Sequence, residues 1–303
     1  MNQAFADRLY GAKWGVFYHF LFDPPGGSHL KERLSQLPWE ERVEMLDTDK
    51  IADALHQMGA GYFFITIMQG RKYMAAPNAA YDRIAGTQPG EACPRRDLIL
   101  DLYKSLSRYG IDLYLYFTGD GPYIDREIGE KFGFVEPREN VTEDFVRRWA
   151  SVLAEYQERY KGMVRGWWID GCYPYFGYTP ELLTIYYDTL KAIDPQVGVC
   201  FNVHGVKDRL IKNHPLEDFT PGEFNSPYYV PEERFIDGSQ AHLLMPIGPM
   251  WGSPGCTYTR EYVADYVRRV RAAGGVPTFD ALIYPDGTFD EAQKNALMLK
   301  GLI

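Results

Sequence analysis

Short apolar runs alternate with longer segments of helical period from one end of the chain to the other. The runs at 14–19, 62–67, 111–117, 164–170, 197–202, 219–223, 242–247 and 276–279 read as eight strands. Between them, Ile51, Ala52, Leu55 and Met58 form a helical stripe ended by Gly59. Leu98, Ile99, Leu102 and Leu106 form another, with Gly110 as terminator, and a third runs from Phe145 to Tyr156. Thr179 followed by Pro180 is a capping residue with proline in the first helical position, and Thr259 caps a stripe through Val263, Val267 and Val270. A closing helix is expected over 291–299. Strands alternating with helices predict parallel pairing through crossover connections. No Ser/Gly-rich or charged linker divides the chain, so the expectation is an α/β fold: one catalytic (β/α)8 TIM-like barrel over 1–303, with no C-terminal β-sandwich. A doubly wound open sheet is the alternative.

Length and composition agree with this picture. A chain of 303 residues, 46% hydrophobic, suits one such barrel and excludes disorder for its bulk. The longest apolar run, 62–68, is far shorter than the roughly 20 residues of a membrane span. The first residues carry no basic flank followed by an apolar stretch, so the chain reads as soluble and, as written, cytoplasmic. A secreted or periplasmic precursor shorn of its leader is the other reading. A formal charge of −9 disfavours nucleic acid and anionic membranes as partners. Cys93, Cys172, Cys200 and Cys256 lie far apart with no Cys-x-x-Cys pair, which points to reduced, mostly buried thiols. Neither metal nor cofactor is expected, and homo-oligomerisation is left open.

The aromatic content is the unusual number: 23 Tyr, 17 Phe and 6 Trp. These rings crowd where strands should end, at 14–20, 114–117, 167–168, 173–178 and 228–229. Flat amphipathic rings there suit a wall that stacks on the apolar face of a sugar. Rings that simply plug a large barrel are the plainer reading.

Barrel chemistry gathers at the C-terminal ends of strands. The polar residues expected there are His19, Gln69, Thr118, Asp120, Asp170, Asn202, His204, Glu223, His242 and Asp280. Trp167-Trp168-Ile169-Asp170-Gly171 is the sharpest local signal, a carboxylate directly after buried strand residues with a glycine that lets the backbone turn away. An Asp that merely caps a loop amide is the bland alternative. His29, His56 and His214 read as solvated, and Cys172 lacks the imidazole that a thiol nucleophile needs. Asn140-Val141-Thr142 fits a glycosylation acceptor, although Thr142 serves as a helix cap.

Several segments, in order, are similar to family 29 glycoside hydrolases, the retaining α-L-fucosidases. They are Phe17-Tyr18-His19 after Trp14-Gly15, Gly59-Ala60-Gly61-Tyr62, Arg96-Asp97-Leu98, Trp168-Ile169-Asp170-Gly171, and Gly274-Gly275 through Asp286-Gly287. The resemblance spans essentially the whole chain. It implies a barrel that acts on a terminal fucose or related sugar in an oligosaccharide or glycoside, with Asp170 as nucleophile and His19 on sugar hydroxyls. Asp218-Phe219-Thr220-Pro221-Gly222-Glu223 looks like the segment carrying the acid/base, which nominates Glu223. Where the family has His-His-Asp-Gly-Phe after the second strand, this chain reads Met68-Gln69-Gly70-Arg71-Lys72-Tyr73. Gln69 is therefore the candidate replacement for a lost imidazole, and Phe20 stands where the family has Trp.

The chemistry itself asks for two carboxyls about 5–5.5 Å apart, one to form a glycosyl ester and one to protonate the leaving oxygen. Trp168, Tyr116, Asn202, His204 and Asp280 complete the set of expected substrate contacts. Two other readings stay open: a barrel of the same fold that binds carbohydrate without hydrolysing it, and a metal-dependent hydrolase built on His19, His204, His242 and Asp170.

Overall fold

A computed structural model describes residues 2–25, 36–134, 141–203 and 208–303. In chain order its strands are β1 (Gly15–Tyr18), β2 (Tyr62–Thr66), β3 (Asp112–Thr118), β4 (Val164–Asp170), β5 (Gly198–Phe201), β6 (Phe235–Ile236), β7 (Ser239–Gln240), β8 (His242–Pro246) and β9 (Val276–Asp280). Seven of them form one parallel sheet in the order β5-β4-β3-β2-β1-β9-β8. The short β6 and β7 make a separate antiparallel hairpin, turned by Asp237 and Gly238, both at positive φ.

The segments of helical period all form, as Thr48–Met58, Leu98–Ser107, Glu143–Arg159, Pro180–Ile193, Arg260–Ala272 and Glu291–Ala296. Side chains of Asp47, Asp97, Thr142, Thr179 and Thr259 each accept a first-turn N–H, as their capping positions require. Among the described residues four further helices form that the sequence pattern does not predict, Gln3–Gly11, Trp39–Met45, Ala79–Ala85 and Arg126–Phe132.

Strand side chains alternate between two cores. Val16, Phe63, Ile65, Leu113, Leu115, Phe117, Trp167 and Ile169 pack under the helices. Their neighbours Phe17, Tyr62, Phe64, Tyr114, Tyr116, Trp168 and Leu244 fill the concave face, with Phe5 and Leu9 of the first helix. Much of the aromatic surplus is therefore core rather than rim: Tyr62, Tyr114 and Phe64 are at most 1% exposed.

The expected strand at 219–223 forms only two single bridges, Phe219 to Gln240 and Glu223 to Leu244. On its other side one backbone bond, Asp218 N–H to the Val199 carbonyl at 2.9 Å, reaches β5. The two edge strands of the sheet are thus joined through this irregular segment. Pro221 removes a donor and Gly222 sits at φ +59°, so a regular ladder cannot run through it. His214, expected in solvent, is buried; its ring lies 3.0 Å from the Pro180 carbonyl and 3.1 Å from the Thr184 hydroxyl. The four cysteines are free thiols, three of them buried. No helix among the described residues is long and apolar enough to cross a membrane.

Candidate active site

Asp170 ends β4, and its carboxylate is held by donors from three directions. Tyr116 of β3 donates its hydroxyl to Oδ2 at 2.6 Å, while Tyr173, three residues on, donates to Oδ1 at 3.2 Å. Asn202, just past β5, donates Nδ2 to the same Oδ1 at 2.8 Å. Burial and the Asp170 charge hold both phenols well above their ordinary value, so they remain donors throughout the physiological range.

The same Asn202 nitrogen donates to Oε2 of Glu223 at 2.6 Å. One nitrogen bonded to both groups caps the distance between these two oxygens at the sum of its bonds, about 5.4 Å. Two further ties fix the pair. The indole N–H of Trp168 on β4 donates to the Pro221 carbonyl at 3.1 Å, two residues before Glu223. Gly222 approaches β8 so closely that a Cβ would lie 1.9 Å from the His242 carbonyl, and its own carbonyl accepts from Leu244 N–H at 2.8 Å. Only glycine fits that contact at that φ.

Both carboxylates open into a cleft lined also by Phe17, His19, Gln69, Tyr116, Trp168, Tyr173 and Trp251. Trp168 stacks on Tyr116 with ring centres 5.3 Å apart, which gives the cleft a flat aromatic floor. Trp251 meets His19 edge-on at 5.8 Å. His19 Nδ1 donates to Oδ1 of Asp280 at 2.8 Å, and the other Asp280 oxygen accepts from Gly252 N–H at 2.7 Å. The Asp280 carboxyl, itself held by Gly252, fixes the orientation of the His19 ring.

The structure therefore brings Asp170, Glu223, His19, Gln69, Tyr116 and Trp168 to one cleft, with Asn202 between the carboxylates. Of the other expected residues that the structure describes, Asp280, His242, Thr118 and Asp120 do not line the cleft. Asp280 is 1% exposed and stands behind His19, against whose ring it is held. His242 opens β8 inside the concave core; its ring lies 2.7 Å from the Thr278 hydroxyl and 3.0 Å from the Thr220 carbonyl. Burial pushes this imidazole down to about 4. Thr118 and Asp120 are buried and bonded to each other. His204, His29 and Asn140 lie outside the described residues. No group of metal-ligating side chains is found among the described residues.

Two cleft residues escaped the sequence reading. Tyr173 was visible only as one of many loop aromatics, although its position three residues after Asp170 is a signal in retrospect. Trp251 follows the β8 run between Gly248 and Gly252, an aromatic carried on a strand-end loop.

No family model and no curated protein sequence matches the chain. Solved structures do. An endo-fucoidan hydrolase of glycoside hydrolase family 107 superposes with a TM-score of 0.69 at 17% identity, over 95% of this chain and 91% of that one. An α-L-fucosidase of family 29 from Bacteroides thetaiotaomicron gives 0.65 at 16% identity, over 97% of this chain and 72% of the other. The α-L-fucosidase AlfC from Lactobacillus casei, in complex with α-L-fucose, gives 0.66 at 16% identity, over 98% and 97%. The fold of this chain is accordingly the one on which α-L-fucosidases of family 29 and fucoidan hydrolases of family 107 are built.

Proposed function

We propose that the protein is a divergent family 29-like glycoside hydrolase, a single catalytic barrel with residues 218–224 as its irregular remaining stave. It removes a terminal fucose, or a stereochemically related sugar, with retention of configuration. Asp170 attacks the anomeric carbon, and Glu223 protonates the departing oxygen, then deprotonates the water that releases the sugar. The observation that carries this reading is the single Asn202 nitrogen bonded to both carboxylates. A limit of about 5.4 Å between the bonded oxygens suits a retaining pair, whereas an inverting pair needs about 6.5–9.5 Å to admit its water.

The surroundings support the assignment of roles. Asp170 accepts hydrogen bonds from three donors, and Tyr116 and Tyr173 fix its direction. Asn202 donates one hydrogen bond to Oε2 of Glu223, which orients that carboxyl beside Asp170. The floor of Tyr116 and Trp168 offers an apolar face to a pyranose ring, and His19 and Gln69 offer polar contacts to hydroxyls.

A panel of aryl glycosides tests the function, beginning with the α-L-fucoside and continuing with β-D-galactoside, α-D-galactoside and β-L-arabinoside. Asp170→Gly is expected to abolish turnover of the accepted substrate, and azide or formate to restore part of it as the small anion occupies the vacated site. Full activity in Asp170→Gly sinks the assignment. One observation favours a binding barrel without hydrolysis: where fucosidases carry two histidines, Met68 is fully buried and Gln69 alone reaches the cleft. Sugar binding by calorimetry with no product, unchanged in Glu223→Gln, would decide for that reading.

A further inference from the structure

Among the described residues no strand of the sheet pairs with the outer edge of β5, and two consecutive carboxylates meet its backbone donors there. Asp218 Oδ2 accepts from Val199 N–H at 2.9 Å, and Glu217 Oε1 accepts from Phe201 N–H at 2.8 Å. These are alternate residues of β5, the spacing at which a parallel neighbour would offer carbonyls. Glu217 and Asp218 are 1% and 2% exposed, so side chains of such cost there have to be matched by partners.

The two carboxylates are not equivalent. Asp218 is paired with the Lys191 ammonium at 2.7 Å. Glu217 makes no ion pair among the described residues; it accepts backbone N–H groups with both oxygens. Its Oε2 takes Asn213 N–H at 2.6 Å and His214 N–H at 3.2 Å. Asn213 in turn donates its side-chain amide to the Phe201 carbonyl at 2.9 Å. Both backbone groups of Phe201 are therefore held from this one loop. The next residue is Asn202, whose amide spans the cleft carboxylates.

Glu217 also reaches Glu223 along the chain. Its carbonyl accepts from the Ser239 hydroxyl at 2.7 Å, and the Asp218 carbonyl accepts from Gln240 N–H at 3.0 Å, which anchors the start of the segment that ends in Glu223. A single dipeptide thus holds the residue just before the bridging Asn202, whose own backbone is tied to Ile169 and Cys172, and the origin of the stretch that carries Glu223.

We propose that Glu217 is a positioning residue for the Asp170–Glu223 pair, acting through Phe201 to aim the Asn202 amide between them. The proposal rests on the reading of Asp170 and Glu223 as the hydrolytic pair. Gln in this place keeps the shape but turns one acceptor oxygen into a donor that faces an N–H group, so at least one of the three bonds is lost.

The experiment is a crystal structure of Glu217→Gln alongside its kinetics on the aryl glycoside that the wild-type chain cleaves best. The expected result is loss of one or both Asn202 contacts to the carboxylates. With it, kcat falls at least tenfold while KM stays within threefold, since the sugar contacts of the cleft are untouched. Glu217→Asp retains two acceptor oxygens on a stem shorter by one methylene and carries the same prediction should the Gln variant not fold. An intact Asn202 bridge overturns the proposal, and so does a displaced Asn202 with kcat within twofold of wild type. The position of Asn202 is read without any turnover. If the wild-type chain cleaves none of the glycosides, the hydrolytic reading fails on its own, and an intact bridge in the variant still overturns the positioning role.

Discussion

The hydroxyl of Tyr116 donates to Oδ2 of Asp170 at 2.6 Å, from the strand next to β4 and from the same concave face. Hydrogen bonds to a charged group are worth about 2 kcal/mol, a factor of roughly thirty in rate. Tyr116→Phe keeps the ring stacked on Trp168 and removes only this donor. A drop of that size in kcat/KM, with the folded protein unchanged by circular dichroism, is the expected outcome. An unchanged kcat/KM would mean that the bond does not bear on catalysis.

Asn202→Ala takes a donor from both carboxylates at once. Two charge-assisted bonds are lost and nothing remains between the two acids, so turnover is expected to fall on the order of a hundredfold. Steady-state kinetics on the accepted aryl glycoside provide the check, and a loss below threefold contradicts the bridging role.

Trp251 lines the cleft and meets His19 edge-on. Trp251→Ala is therefore expected to raise KM about fivefold, equivalent to about 1 kcal/mol of ring contact, with kcat within twofold. A fall in kcat with KM constant would place the indole in the chemistry instead.

His242 makes stability depend on acid. Its imidazole, held down to about 4 against an ordinary 6.5, stays neutral in the folded chain while the unfolded chain takes up a proton. The stability from this group is complete above pH 6.5 and is lost as pH falls towards 4, by on the order of 3 kcal/mol. Urea midpoints measured at pH 4, 5, 6 and 7 should show a shallower acid loss in His242→Gln than in wild type. Parallel curves for the two proteins would refute this.

Gly222→Ala pushes a methyl group into a backbone carbonyl that cannot move aside, at a φ that alanine rarely adopts. Destabilisation of roughly 3 kcal/mol is expected, read as a lowered melting temperature. Because Glu223 is the next residue, activity should fall further than the loss of folded protein accounts for.

The sequence by itself determined the strands and helices wherever they were long enough to show a period, since burial on one or two faces must be written into the residue order. Thus Val164–Asp170 and Thr48–Met58 were legible, and so was Asp170 as a carboxylate at a strand end. Glu223 was legible only through likeness to a known segment. What tertiary structure decided is everything that depends on distance. Asn202 lies 32 residues from Asp170 and 21 from Glu223, and no pattern along the chain says that one nitrogen meets both. Asp280 and His242 have the right residue types at strands of the sheet, yet packing turns one behind His19 and sinks the other in the concave core. The segment at 219–223 carries a strand's apolar pattern, but its proline and left-handed glycine break the ladder. On the β5 side the missing bonds come from the Glu217 and Asp218 side chains, a substitution that strand propensity does not encode.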